Sequence, residues 1–89
     1  MKKIIVYTKD YCPYCVRAKR LLDELGADYE EIDITQTPEA MEALVKKSGM
    51  MTVPQIFVGE DEGEKCLGGS EDIHQLHREG KLLEALGLE

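Results

Sequence analysis

Residues 3–15 read Lys3-Ile4-Ile5-Val6-Tyr7-Thr8-Lys9-Asp10-Tyr11-Cys12-Pro13-Tyr14-Cys15, and the next ten residues have helical spacing. Lys3–Thr8 is β-branched and aromatic, the composition of a buried strand. Ala18, Leu21, Leu22 and Leu25 then recur so as to make one apolar helix face. Gly26 stands where a glycine ends a helix. Pro13 falls at the first helical position, where its missing N–H costs nothing. Cys12 is therefore the N-cap residue. A strand delivers one cysteine to the mouth of a helix, with a second cysteine one turn further in.

Working outward, Tyr29–Ile34 alternates imperfectly and reads as a second strand. Thr37-Pro38-Glu39 opens another helix, with Thr37 as N-cap, Pro38 at the first position and Glu39 near the positive end of the dipole. Met41, Leu44 and Val45 form its inner face, and Gly49 ends it. Gln55–Val58 is a short strand, Gly59–Glu64 an acidic turn and Lys65–Leu67 the hairpin partner. Gly68-Gly69-Ser70 leads into a helix that turns Ile73 and Leu76 inward, with Ser70 as its cap. A last turn carries Leu82, Leu83 and Leu86. The order is β-α-β-α-β-β-α. A strand–helix–strand unit needs a right-handed crossover and parallel pairing, whereas the closing hairpin needs antiparallel pairing. The expected fold is α/β, a mixed four-stranded sheet with helices on both faces, in a single domain over residues 1–89.

Composition narrows the function classes. Hydrophobic residues make up 43% of the chain, which argues for a folded domain. No stretch approaches the roughly 18 apolar residues of a membrane helix. The apolar run near the N-terminus stops at Thr8-Lys9-Asp10, too short for a secretory core, so an intracellular protein is expected. The net charge of −7 disfavours nucleic acid and anionic membranes as main partners. The charge is uneven: residues 1–20 hold six Lys or Arg (Lys2, Lys3, Lys9, Arg17, Lys19, Arg20) against one acid, Asp10. On charge alone this reads as a solvated basic face. Three cysteines, Cys12, Cys15 and Cys66, do not make a disulfide framework.

The Cys12-x-x-Cys15 spacing closes a small disulfide ring. At a helix N-terminus the first N–H groups lack partners within the helix and point at the N-cap side chain. Together with the aligned peptide dipoles they stabilise a Cys12 thiolate. The thiolate is the form that attacks disulfides, and a stabilised thiolate also leaves well. Cys15, at the third helical position, lies closer to the protein body and suits the resolving role. Lys9 and Arg17 are near enough in sequence to add positive potential. Pro13 holds the turn, and Tyr14 offers an aromatic flank to a substrate. The rival is zinc held by Cys12, Cys15, His74 and His77. The 58 residues between Cys15 and His74 are far from finger spacing, and the histidines read more simply as surface residues of a polar helix.

Taken together, Tyr7-Thr8-Lys9, Cys12-Pro13-Tyr14-Cys15, Thr52-Val53-Pro54-Gln55 and Gly68-Gly69-Ser70 resemble the glutaredoxin family in order and spacing over essentially the whole chain. The Cys-Pro-Tyr-Cys tetrad resembles the dithiol members. The resemblance implies the thioredoxin fold and a thiol-disulfide oxidoreductase that uses glutathione as reducing co-substrate and needs no metal. It implies Cys12 and Cys15 as the catalytic pair. It also implies a cis Pro54 that leaves the Val53 N–H and C=O beside the cysteines, free to pair with an extended thiol peptide. Around glutathione it implies Lys9 on the glycine carboxylate, Tyr14, Thr52, Val53 and Pro54 along the peptide, and Gly69 and Ser70 at a helix N-terminus that holds a carboxylate. Glu71 would meet the γ-glutamyl ammonium. Met50-Met51 departs from the family, which often carries Arg, Gln or Thr before the Thr-Val-Pro run, and this removes a polar contact. Cys66 reads as a small, half-buried hydrophobe.

The implied partners are glutathione and disulfide-bonded or glutathionylated proteins, for a monomer working in the cytoplasm. The alternative is a glutaredoxin-like electron donor, to a reductase such as ribonucleotide reductase, that is itself reduced by thioredoxin reductase or another thiol. A [2Fe–2S] carrier bridging two Cys12 thiolates fits less well, because Pro13 disfavours that geometry.

Overall fold

The computed structural model describes residues 2–60 and 65–88. Strand β1 (Lys3–Thr8) is central because both of its faces are apolar: Ile4, Ile5 and Val6 are all buried. It pairs in parallel with β2 (Glu30–Asp33), Val6 opposite Glu31 and Tyr7 opposite Ile32. On its other side it pairs antiparallel with β3 (Gln55–Gly59), Ile5 opposite Phe57 and Tyr7 opposite Gln55. Strand β4 (Lys65–Gly68) closes the hairpin on β3, with a register shift between Ile56 and Phe57. The order across the sheet is β2-β1-β3-β4, the mixed four-stranded arrangement expected from the sequence. No strand end differs from expectation by more than a residue; β2 starts one later and ends one earlier. Most of the acidic turn, residues 61–64, lies outside the described residues.

Helix α1 (Pro13–Glu24) carries Cys15, Ala18, Leu21 and Leu22 on its buried face and ends at Leu25, followed by Gly26 at φ +71°. With α3 (Ser70–Arg78) and α4 (Leu82–Leu86) it covers one face of the sheet. There Val6, Ile56, Leu22, Ile73 and Leu86 form a core from which water is excluded. Helix α2 (Pro38–Ser48) covers the opposite face, where Leu44 packs with Ile5, Ile34 and Phe57. Helices therefore lie on both faces. Val45 is half-buried, and Cys66 sits half-buried against the α2-side core, as a small hydrophobe would.

Two caps differ from expectation. Thr37 is the N-cap of α2, but its side chain makes no capping hydrogen bond; Pro38 and Glu39 mark that start instead. Ser70 is not the cap of α3: it is the first helical residue, and Gly69 caps. The reason is that the satisfying carboxylate comes from the helix itself. The Gly69 N–H donates to Asp72 Oδ2 at 2.8 Å, which needs no side chain at the cap position.

Candidate active site

The end of β1 and the start of α1 set the site. Tyr11 adopts φ +55°, a left-handed conformation uncommon outside glycine, and turns the chain so that Cys12 begins the helix. Cys12 has extended backbone angles, and its Sγ accepts the Cys15 N–H at 3.1 Å. The sulfur thus occupies the N-cap position expected of it, and no acidic residue in the first turn of α1 competes for that positive end. Cys12 and Cys15 are joined in a disulfide with Cα atoms 5.2 Å apart. Cys15 is only 2% exposed, whereas Cys12 is half-exposed, so an incoming sulfur meets Cys12.

The Val53–Pro54 peptide is cis and brings the Val53 carbonyl oxygen to 3.8 Å from Cys12 Sγ. With no proton on a disulfide sulfur this is a contact; the reduced thiol could donate there. Buried Gln55 anchors the loop, its Nε2 donating to the carbonyls of Met50 and Thr52 at 3.1 and 2.9 Å. Among the described residues neither Val53 polar backbone group has a backbone partner.

Two clefts flank the disulfide. One, of about 320 Å³, is lined by Tyr14, Thr52, Val53, Pro54, Gly69, Ser70 and Glu71, together with Met50 and Asp72. Seven of the eight non-cysteine residues implied by the resemblance meet here. The loops approach closely because there are glycines: a β-carbon on Gly69 would lie 3.2 Å from the Pro54 carbonyl oxygen, and one on Gly68, at φ +104°, would collide with the Asp72 carboxylate. The eighth residue, Lys9, is elsewhere. It lines the other cleft, of about 540 Å³, with both cysteines, Asp10, Lys19, Glu31 and Asp33.

The charges are placed differently from the expectation. Arg17 does not turn to the sulfur. Its guanidinium lies 3.8 Å from Glu71 Oε1 and 5.9 Å from the centre of the Tyr14 ring. Both partners of that ion pair are well exposed, so its contribution to stability is small. Glu31, Lys19 and Thr8 carry the more structured pairing, and of the three only Thr8 falls in a motif, Tyr7-Thr8-Lys9. Buried Thr8 donates its hydroxyl to Glu31 Oε2 at 2.8 Å, and Lys19 Nζ reaches the same oxygen at 3.0 Å. The Thr8 hydroxyl, seconded by Lys19, holds the Glu31 carboxyl below the usual range. For Glu31 the signal in the sequence is the imperfect alternation of β2, an acid standing where the strand pairing sets it opposite Val6. Among the described residues no three His, Cys, Asp or Glu gather as a metal site, and His74 Nδ1 turns instead to the Ser70 carbonyl at 2.7 Å.

The family model for glutaredoxin matches residues 4–62. The chain belongs to the glutaredoxin family. It is 45% identical to a glutaredoxin of Pseudomonas aeruginosa over 82 residues, which cover 92% of this chain and 93% of that protein. It superposes on the crystal structure of a buckwheat glutaredoxin–glutathione complex with a TM-score of 0.84 and 37% identity, covering 97% of this chain and 77% of that one. The solution structure of a Brucella melitensis glutaredoxin is similar too, with a TM-score of 0.82 and 43% identity, covering 97% and 89%. The fold is the thioredoxin-like fold of these glutaredoxins, and the chain is a thiol-disulfide oxidoreductase. In a glutaredoxin the half-exposed N-cap sulfur bound to a covered neighbour is the redox-active disulfide.

Proposed function

We propose that this glutaredoxin uses glutathione to reduce protein disulfides and glutathionyl mixed disulfides, with Cys12 as nucleophile and Cys15 as resolving thiol. The observation that carries this reading is the Val53 backbone beside Cys12 Sγ, facing the N-terminus of α3 across one cleft. An extended thiol peptide laid in that cleft pairs with the Val53 N–H and C=O, as an added strand does, and its sulfur then points at Cys12. The N–H groups of Ser70 and Glu71 at the start of α3 take a carboxylate, since Asp72 occupies only the Gly69 N–H. The Glu71 carboxylate takes the γ-glutamyl ammonium while remaining near Arg17. Tyr14 covers the peptide from α1. Lys9, on the far side of Cys12, takes the glycine carboxylate.

The Cys12 thiolate attacks the substrate disulfide, expelling one thiol and leaving a mixed disulfide on Cys12. On a protein substrate, Cys15 attacks Cys12 Sγ, releases the second substrate thiol and closes the Cys12–Cys15 bridge. Two molecules of glutathione then reopen that bridge. On a glutathionylated substrate Cys12 alone suffices. The similarity to a glutaredoxin solved with glutathione supports this reading, and the proposed setting is the cytoplasm, where thiols stay reduced.

The test is glutathione-coupled reduction of a glutathionyl mixed disulfide, run beside reduction by NADPH and thioredoxin reductase. Glutathione is expected to sustain turnover, and Cys12→Ser to abolish it. Activity retained by Cys12→Ser overturns the assignment of the nucleophile. Reduction by thioredoxin reductase with none by glutathione establishes instead the electron-donor reading, which Met51 favours by standing 79% exposed where a polar contact is absent.

A further inference from the structure

The resolving thiol presents a problem that the nucleophile does not. Cys12 has the helix N-terminus to ionise it. Cys15 is 2% exposed, and its own N–H is already given to Cys12 Sγ. Burial disfavours a thiolate, yet Cys15 must lose its proton to attack the mixed disulfide. The larger cleft is the one that both cysteines line, so it is the opening through which that proton can leave.

Six titratable side chains face this cleft: Lys9 and Asp10 from the loop after β1, Tyr11 beside them, Lys19 from α1, and Glu31 and Asp33 from β2. On the α3 side stand Arg17 and Glu71, paired with each other, and Asp72, held by the Gly69 N–H. The carboxylates differ in how they are held. Asp33 is spent on Thr35, whose N–H it accepts at 2.8 Å, and lies at the exposed end of β2. Asp10 is exposed, and its backbone N–H donates to the Thr35 hydroxyl. Glu31 is in register with Val6, so it shares the sheet face that α1 covers. Its Oε2 is fixed by the buried Thr8 hydroxyl and by Lys19 Nζ. Lys19 is four residues after Cys15, one helical turn along the same face. Glu31 and Lys19 thus line the same cleft as the resolving cysteine, and both bonds to Glu31 fall on Oε2, so Oε1 is the oxygen that accepts a proton.

We propose that Glu31, oriented by Thr8 and Lys19, is the proton acceptor for Cys15 in the resolving step, through water in the cleft. The proposal rests on the dithiol mechanism of Cys12 and Cys15. The Cys15 thiol gives its proton to the Glu31 carboxylate as its sulfur bonds to Cys12 Sγ. The bond from Cys12 to the substrate sulfur breaks, and the electron pair leaves with the substrate. Glu31 then returns the proton, through water, to the departing thiolate. Overall a Cys15 thiol and a mixed disulfide become an internal disulfide and a substrate thiol, so protons and electrons balance with no further reactant. Thr8 and Lys19 favour the ionised carboxylate, the only form that can take a proton, and the same stabilisation makes Glu31 release that proton readily.

The experiment compares two rates in the whole protein. One is reduction of a protein disulfide such as insulin, which needs Cys15. The other is deglutathionylation by the Cys15→Ser form, which does not. Glu31→Gln keeps the shape and can still accept from Thr8, but it is a poor base. The expected result is a fall of about tenfold or more in the ratio of the first rate to the second. The pH profile of the dithiol reaction should also move upward, because solvent base must now replace the carboxylate. An electrostatic role alone gives the opposite sign: Glu31→Gln leaves Lys19 uncompensated, which favours the Cys15 thiolate and speeds resolution. A ratio at or above wild type, or an unmoved pH profile, overturns the proposal. Asp33→Asn is expected to behave as wild type, and a fall there equal to that of Glu31→Gln also overturns it. If Glu31→Gln does not fold, Glu31→Ala is read the same way. Failure of the underlying dithiol reading is separately visible, because Cys15→Ser would then still reduce the protein disulfide.

Discussion

Gly69 lies so close to Pro54 that a β-carbon on the glycine would stand 3.2 Å from the proline carbonyl oxygen. That approach brings the start of α3 against the cis-proline loop and makes the two walls of one cleft meet. Gly69→Ala must push them apart by a few tenths of an ångström. Its φ of −103° suits alanine, so strain is not the cause of the effect. Alanine is also a poorer N-cap than glycine, and the stability loss is expected to be about 1 kcal/mol. The functional loss should exceed it, as a rise in KM for the glutathionyl substrate with kcat little changed. Calorimetry together with steady-state kinetics checks both.

Cys15→Ser separates the two chemistries of the site. The buried position is close in shape, so the fold should hold. Protein-disulfide reduction is expected to fall to background, because no thiol is left to resolve the mixed disulfide. Deglutathionylation, which needs only the half-exposed Cys12, should continue. Mass spectrometry should then trap a glutathione adduct on Cys12 of the variant. An adduct found on Cys66 instead would contradict the assignment.

Tyr29 makes a prediction at alkaline pH. It packs at the edge of the α1-side core and donates its hydroxyl to Asp23 Oδ1 at 3.1 Å. Burial, and then the bond to Asp23 and the neighbouring negative charge, push its ionisation up to about 12. The folded value is raised above the ordinary 10.0, so the associated stability is complete below that pH and is lost as pH climbs toward 12. Ultraviolet titration should show a tyrosine ionising last, near pH 12. In Tyr29→Phe that last step should vanish, and alkaline unfolding should lose its dependence on it.

Phe57 tests the core beneath the site. It is fully buried on the α2 face, with Tyr7 edge-on at 5.4 Å between ring centres and Lys47 Nζ 4.5 Å above its ring. Phe57→Ala should cost about 3–5 kcal/mol. That is a large share of the stability of a chain this small, about 5–15 kcal/mol. The expected observation is a partly unfolded population at room temperature by denaturant titration. Phe57→Leu should cost clearly less.

Much of this protein is legible without coordinates wherever the signal lies within a few residues of backbone. β1 ends at Thr8 and α1 starts at Pro13 because β-branched residues favour a strand and proline suits the first helical position, and both statements are local. For the same reason the sequence alone places Cys12 at a helix mouth. Sequence reasoning misplaces the cap of α3 by one residue because the group that satisfies it, the Asp72 carboxylate, reaches back from inside the helix.

What only the tertiary structure decided is which distant charges meet. Arg17, close to Cys12 in sequence, turns to Glu71, 54 residues away, and Lys9 falls in a different cleft from the other residues implied with it. Glu31 joins Thr8 and Lys19 across 23 and 12 residues because parallel pairing of β1 with β2 sets it in register with Val6 under α1. Hydrophobic spacing specifies strands and helices one at a time. The register between strands, and the side chains it brings together, arise only when those elements pack on a common core.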